Sequence, residues 1–319
     1  MKIVALDTYV TDYDGMDYSV FEQLGEFIRY PRSVESDILE RAQGADALIT
    51  NKIKFDAQRM NQLSALKYIG IFATGTNNVD LQAAAQRNIA VANVPAYSTD
   101  SVAQQVIAFI LNYSTNVASY DNAVKEGRWA TSSDFCFYEK PIFEAAGKSL
   151  GIVGAGAIGS KVAKIATAIG MQVMYAALPG RSYQDHRVSL VEILSNCDFV
   201  SLHCPLTPGT KNMLDREMLK RFKKSAVLIN TARGALVDEQ ALYEALEKRE
   251  LAHACLDVFS EEPPAKENLL QFSKYTTITP HVAWGAREAR VRLINEAALN
   301  LKAFINGEHR NRVELRDSR

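Results

Sequence analysis

The chain has 319 residues, enough for two domains of ordinary size, each with its own core. With 36 Lys and Arg against 37 Asp and Glu the formal charge is -1, which leaves no long-range field to gather nucleic acid or an anionic membrane. Hydrophobic residues at 47% and charged residues at 23% describe a globular protein, and no run of 18 apolar residues is present to span a bilayer. The first apolar run ends at Asp7, too short for a signal peptide, and reads as a buried strand. Cys136, Cys197, Cys204 and Cys255 have neither C-x-x-C spacing nor disulfide-framework density, so packed thiols in a reducing cytoplasm are expected.

Over the first 95 residues, β-rich runs at 2–6, 27–30, 47–50, 68–73 and 89–94 alternate with helix-like stretches at 18–25, 37–42, 56–63 and 81–87. Strands joined by crossover helices predict a parallel sheet covered on both faces. Gly25, Gly44 and Asn88 stand where left-handed C-terminal caps are expected. A single apolar-periodic helix is predicted over 101–118, with Ser98, Thr99 and Asp100 offering cap oxygens. The aperiodic aromatic segment 126–141 leads into six further strand runs at 150–153, 172–176, 199–203, 226–230, 254–258 and 276–279, which predict a second, doubly wound sheet. A closing helix is expected over 288–306, with the polar residues 307–319 docking on the surface or fraying.

Gly154-Ala155-Gly156-Ala157-Ile158-Gly159 is a G-x-G-x-x-G set directly after one strand run and before the helical run 161–169. In that setting the first glycine permits the tight turn, the second lets a pyrophosphate approach the backbone, and the third lets helix pack on strand. The pattern expects an acid about 20 residues later to accept from a ribose 2′-OH. Ala177 stands at that place, and Arg181 follows in the next turn, suited to a 2′-phosphate. Both NAD(H) and NADP(H) are therefore open. At the ends of later strand runs stand Arg233, Glu262 and His281, a cation, a carboxylate and an imidazole at the edge where ligands bind in such sheets. No H-E-x-x-H or Cys/His cluster points to a metal.

These motifs, together with His203-Cys204-Pro205-Leu206, Asn230-Thr231-Ala232-Arg233-Gly234, Asp257-Val258, Glu262-Pro263 and Pro280-His281, resemble the D-isomer-specific 2-hydroxyacid dehydrogenases over nearly the whole chain. Asn51-Lys52, the run Ala73 to Asp80, Tyr97 to Ala103 and Asp134-Phe135-Cys136-Phe137 are most similar to the glycerate dehydrogenase/hydroxypyruvate reductase branch. The resemblance implies an α/β protein of two Rossmann-like or flavodoxin-like domains with doubly wound parallel sheets. The substrate domain would be 1–97 plus 286–319, and the NAD(P)-binding domain 98–285 would be inserted in it.

The same resemblance implies reversible hydride transfer between nicotinamide and the 2-carbon of a small 2-oxo or 2-hydroxy acid, hydroxypyruvate/D-glycerate or glyoxylate/glycolate. His281 would be the general acid, Glu262 its partner, and Arg233 the fork for the substrate carboxylate. Cofactor contacts are expected at Gly154, Gly156, Ala157, Ile158, Gly159, Ala177, Arg181, His203, Cys204 and Pro205, and at Thr231, Ala232, Arg233, Asp257, His281 and Ala283, with Asp257 on the nicotinamide side. Lys52, Thr74, Gly75, Thr76 and Arg233 would bind substrate, the cleft between the domains completing the site. A homodimer is implied, through the 101–118 helix and the loop after it, where Trp129 stands.

A catalytically silent NAD(H)-binding sensor or corepressor-like protein on the same scaffold is the alternative from another class. The full Arg233, Glu262 and His281 set speaks against it. A formate dehydrogenase pairs its His with Gln, so Glu262 speaks against that activity as well.

Overall fold

A computed structural model describes residues 1–178, 183 and 186–314. Its contacts divide into two compact units, Met1–Ser98 with Gly285–Arg319, and Thr99–Trp284. In chain order the first part contributes β1 (Lys2–Ala5), α1 (Ser19–Glu22), β2 (Glu26–Arg29), α2 (Ile38–Ala42) and β3 (Ala47–Thr50), then α3 (Ala57–Asn61), β4 (Tyr68–Ile71), α4 (Leu81–Gln86) and β5 (Ala90–Ala92). All strands of this unit are parallel, in the order β2-β1-β3-β4-β5. That is the flavodoxin-like order, with a topological switch point at β1 and β3. Apolar residues such as Val4, Leu48, Ile69 and Val91 form its core with Met60 and Leu63 from the helix side.

The second unit begins with α5 (Thr99–Thr115) and α6 (Val117–Lys125). It continues through β6 (Ser149–Val153), α7 (Ala157–Ala168), β7 (Gln172–Tyr175), α8 (Leu190–Asn196), β8 (Phe199–Leu202), α9 (Arg216–Leu219) and β9 (Val227–Asn230). The unit closes with α10 (Glu239–Glu247), β10 (His253–Leu256) and β11 (Thr276–Ile278). Its six strands run parallel in the order β11-β10-β9-β8-β6-β7. The switch point therefore lies between β6 and β8. Alternate residues feed two cores: Leu228 joins Val200, Leu202 and Leu256 on one face, while Val227 and Ile229 join Phe199 and the α5 residues Val106 and Ile110 on the other. Burial on both faces is why these strands read as continuous apolar runs.

The last helix, α11 (Arg287–Ile305), belongs to the first unit. Beyond it the chain docks: Arg312 bridges Ala92 in antiparallel fashion, Val313 N–H donates to Val91 C=O at 2.8 Å, and Val313 is buried. No helix among the described residues is long and apolar enough to cross a membrane.

The structure departs from the sequence expectations at two places outside the site. The single helix expected over 101–118 is broken at Asn116, whose φ of 54° is left-handed. Just before the break, the Ser114 and Thr115 hydroxyls donate to Ile110 and Leu111 carbonyls at 2.8 and 2.7 Å, the back-bonding that weakens a helix end. Gly44 and Asn88 take the expected positive φ of 72° and 56°, but Gly25 does not. Gly25 is required by space instead, since a Cβ there would fall 2.3 Å from the Met1 carbonyl oxygen.

Candidate active site

The phosphate-loop sequence folds as its spacing predicts. After β6, Gly154 turns the chain at φ 105°, and a Cβ on it would fall 2.6 Å from the Cys204 nitrogen and 2.7 Å from the His203 carbonyl carbon. The loop after β8 is thus pressed against the loop after β6, at the switch point. A Cβ on Gly159 would meet the Gly154 carbonyl oxygen at 2.1 Å, so the first turn of α7 also needs glycine there. Gly156 and Ala157 are exposed, and a Cβ on Gly156 would have nothing within 4 Å.

Helices α8, α9 and α10 of this unit are capped by the Ser189, Asp215 and Asp238 side chains, whereas α7 has no side-chain cap. Its first-turn N–H groups suit an anion. Thr231 Oγ1, in the loop after β9, is buried without a hydrogen-bond partner. The open face of Gly156, the uncapped helix start and this orphaned hydroxyl fit a dinucleotide.

His203 is held by a 2.9 Å hydrogen bond between its Nε2 and the buried Ser201 hydroxyl, and burial pushes its pKa down to about 4, so the ring is neutral. Cys204 is buried, and the Pro205 carbonyl accepts from the Thr210 hydroxyl at 2.7 Å.

Arg233, Glu262 and His281 stand in the segments that follow the carboxyl ends of β9, β10 and β11, which are adjacent in the sheet. Arg233 sits on a turn clamped by Asn230, whose side chain donates to the Arg233 carbonyl at 2.8 Å and accepts from the Ala232 N–H at 3.0 Å. Gly234 lets that turn touch the next loop: a Cβ there would fall 1.9 Å from the Phe259 carbonyl carbon. In that next loop Glu262 accepts the Phe259 N–H through Oε1 at 3.1 Å and faces His281 Nδ1 through Oε2 at 2.6 Å. With Nδ1 so engaged, Nε2 of His281 is the nitrogen left for another partner.

Asp257 fixes the backbone under His281. Its carboxylate accepts from the Thr279 hydroxyl at 2.5 Å and from the Val282 and Ala283 N–H groups at 2.9 and 3.0 Å, while its own carbonyl accepts the His281 N–H at 2.8 Å. Burial raises the Asp257 pKa against these bonds, which lower it. His281 itself has a left-handed φ of 52°, uncommon for residues other than glycine, and the Asp257 bonds hold the backbone on both sides of it.

In the first unit, Lys52 is exposed just after β3. The Asp7 carboxylate, at the end of β1, accepts the N–H groups of Asn51, Lys52 and Ile53 at 2.8, 2.7 and 3.2 Å. Desolvation raises the Asp7 pKa in spite of these bonds. Thr74, Gly75 and Thr76 follow β4. Thr74 Oγ1 donates to the Val94 carbonyl at 2.9 Å, and the Thr74 carbonyl accepts from the Asn93 side chain at 2.7 Å. Ala177 follows β7 in the second unit, and Arg181 lies outside the described residues.

A family description, D-isomer specific 2-hydroxyacid dehydrogenase, NAD binding domain, matches residues 107–283. The chain belongs to this family. It is similar to the hydroxypyruvate reductase of Blautia hydrogenotrophica, 38% identical over 320 residues that cover 98% of this chain and 99% of the relative. It is also similar to the glycerate dehydrogenase of Methylorubrum extorquens, 42% identical over 316 residues, 98% of this chain and 99% of the relative. The crystal structure of a Thermus thermophilus protein superimposes with a TM-score of 0.85 at 34% identity, covering 98% of this chain and 100% of that one.

In this D-2-hydroxyacid dehydrogenase family member, Asp7, Asn230 and Thr279 have supporting roles that no sequence motif assigns. Each supports a loop that carries a candidate site residue. Asn230 and Thr279 stand within quoted or adjacent motif residues, so a polar side chain ending a buried strand was a usable signal. Asp7 bonds across 44 to 46 residues of chain, and no local pattern announces that.

Proposed function

We propose that the chain is an NAD(P)-dependent D-2-hydroxyacid dehydrogenase that interconverts small 2-oxo acids and their D-2-hydroxy acids, with hydroxypyruvate and glyoxylate as its substrates. The observation that carries this reading is the 2.6 Å contact between His281 Nδ1 and Glu262, beside the Arg233 turn at the carboxyl edge of a sheet whose phosphate loop fits a dinucleotide. Relatives of the same length named hydroxypyruvate reductase and glycerate dehydrogenase favour it over a silent nucleotide sensor.

In this reading Gly154, Gly156, Ala157, Ile158 and Gly159, with His203, Cys204, Pro205, Thr231, Ala232, Asp257 and Ala283, hold the dinucleotide. Bound nicotinamide supplies the hydride for the 2-carbon and takes it back in the reverse direction. His281 gives a proton from Nε2 to the carbonyl oxygen, and Glu262 stabilises the charged imidazolium before that transfer. Arg233 pairs with the substrate carboxylate through its planar fork, which its own Nη1 bond to the Ala232 carbonyl, 2.7 Å, helps to orient. In the first unit, Lys52, Thr74, Gly75 and Thr76 are the residues this reading assigns to substrate.

Two further parts of the reading concern the assembly and its setting. The exposed Trp129, Phe135 and Tyr138 support a homodimer through the segment after α6. Four free cysteines support a cytoplasmic home. The test is oxidation of NADH or NADPH by purified protein with hydroxypyruvate, glyoxylate and pyruvate supplied separately. Turnover with hydroxypyruvate or glyoxylate is expected, and silence with every 2-oxo acid would overturn the assignment.

A further inference from the structure

The amino edge of the second sheet, opposite the edge that leads into the Arg233, Glu262 and His281 segments, holds a cavity of about 550 Å3. Part of its lining is aromatic and apolar. Phe199 and Val227, the first residues of β8 and β9, line it and are buried, and Tyr113 from the last turn of α5 and Phe143 stand with them. The three rings pack together with centroids 5.9, 6.2 and 6.5 Å apart, so this wall is braced by its own contacts.

Lys148, Lys224 and Arg249 line the same cavity, and none of the three makes an ion pair with a carboxylate among the described residues. The Asp198 carboxylate, also at the cavity, is already held by Lys223 Nζ at 2.6 Å and by the Ser149 N–H and hydroxyl at 2.9 Å each. Cations around a cleft with apolar walls focus the field and raise the local concentration of an anion. Two of them are also steadied by rings: Lys148 Nζ lies 5.5 Å from the Phe143 centroid, and the Arg249 guanidinium 4.5 Å from that of Tyr275.

Arg249 holds its place against a backbone preference. Helix α10 ends in a turn in which Glu250 N–H donates to the Ala245 carbonyl at 2.9 Å and Arg249 N–H to the Leu246 carbonyl at 3.0 Å. The left-handed residue of such a turn is ordinarily glycine, yet Arg249 fills it with φ 58°. The cluster is felt nearby: His253, whose ring centroid is 5.0 Å from that of Tyr113, has its pKa pushed down to about 4 by burial and then by Lys140 and Arg249.

We propose that this cavity is a second binding site, for a small organic phosphate ester whose phosphate sits among Lys148, Lys224 and Arg249 and whose apolar body lies on the wall of Tyr113, Phe143 and Phe199. The planar fork of Arg249 matches phosphate oxygens, and a dianion answers three cations better than a single carboxylate does. The volume is that of an ordinary small-molecule site. The proposal goes beyond the dehydrogenase reading and does not depend on it.

The experiment is titration calorimetry on the full chain, with and without NADH, using phenyl phosphate, inorganic phosphate and benzoate as probes. Phenyl phosphate is expected to bind once per chain, at least about ten-fold tighter than either other probe, and with the same affinity when NADH is present. Arg249→Gly is expected to weaken phenyl phosphate at least about ten-fold while the melting temperature holds, because glycine takes the left-handed turn without strain. Lys224→Ala, at an exposed position, is expected to weaken it about three-fold or more. Bound phenyl phosphate should also raise the His253 pKa, read from its ring C–H resonance, since the anion offsets the nearby cations.

No saturable binding of phenyl phosphate, binding that NADH competes away, or native affinity in both variants would overturn the proposal. None of these readouts uses turnover, so the two readings fail separately. Silence with every 2-oxo acid would leave the titrations as they are, and absence of phenyl phosphate binding would leave the reading of Arg233, Glu262 and His281 as it is.

Discussion

Gly156→Ala separates what the phosphate loop needs for folding from what it needs for its ligand. The residue has φ -76° and ψ -164°, values that alanine adopts without strain, and the added methyl would touch nothing within 4 Å. Alanine narrows the unfolded ensemble, so the unliganded variant is expected to be more stable by about 0.4–1 kcal/mol. The same methyl stands where a pyrophosphate would approach the first turn of α7. If it costs one charge-assisted N–H bond, about 1.5–3 kcal/mol is lost, or about a 10- to 150-fold weaker cofactor.

Gly159→Ala provides the contrast. Its methyl would lie 2.1 Å from the Gly154 carbonyl oxygen, so this variant should lose stability as well as binding. Thermal melts with and without cofactor, together with fluorescence titration of NADH and NADPH, read both quantities. Native cofactor affinity in Gly156→Ala would refute the placement of the pyrophosphate.

Removing the imidazole by His281→Ala should lower turnover at least about 100-fold, the lower end of a positioned general acid's contribution. His281→Asn should do the same with less risk to the fold, since asparagine tolerates the left-handed backbone found there; turnover near the native rate in either would remove His281 from the mechanism. Arg233→Lys is expected to raise the Michaelis constant for hydroxypyruvate at least about ten-fold while cofactor affinity is retained, because lysine lacks the fork; unchanged saturation kinetics would reject that role.

His253, bonded through Nε2 to the Thr277 hydroxyl at 2.9 Å, has its pKa pushed down to about 4 by burial and by Lys140 and Arg249. The unfolded chain protonates first as the pH falls, so the contribution of His253 is full above about 6.5 and falls by about 3 kcal/mol as the pH drops to about 4, over the same window in which the buried His203 also loses its contribution. His253→Gln should flatten the decline in denaturant-derived stability over that window, and an unchanged slope would contradict the assignment.

The parts of the site written in contiguous residues were legible before the structure. The glycine spacing of 154–159 and the polar residues that end β9, β10 and β11 each depend on a few neighbouring positions, and the fold sets them where the spacing predicts. What crosses between strands was not legible. The Asp7 carboxylate under residues 51–53 depends on β1 lying beside β3, and the bridge between Ala176 and Val188 joins positions well separated in the chain. The strand order of the second sheet, with β7 at its edge, follows from crossover connections that alternation of apolar runs does not encode. The break at Asn116 lay hidden for a related reason: apolar spacing runs on through the position, and only the two hydroxyl bonds before it and its backbone angle mark the end of α5.

The measurement closest to the central claim is loss of absorbance at the reduced-nicotinamide band, with purified protein and hydroxypyruvate, glyoxylate or pyruvate tested separately against NADH and NADPH. Oxidation of NADH or NADPH by hydroxypyruvate or glyoxylate that collapses in His281→Ala is the predicted result. No oxidation of either nucleotide with any of these or a wider set of 2-oxo acids, from protein that still binds the nucleotide, would contradict it.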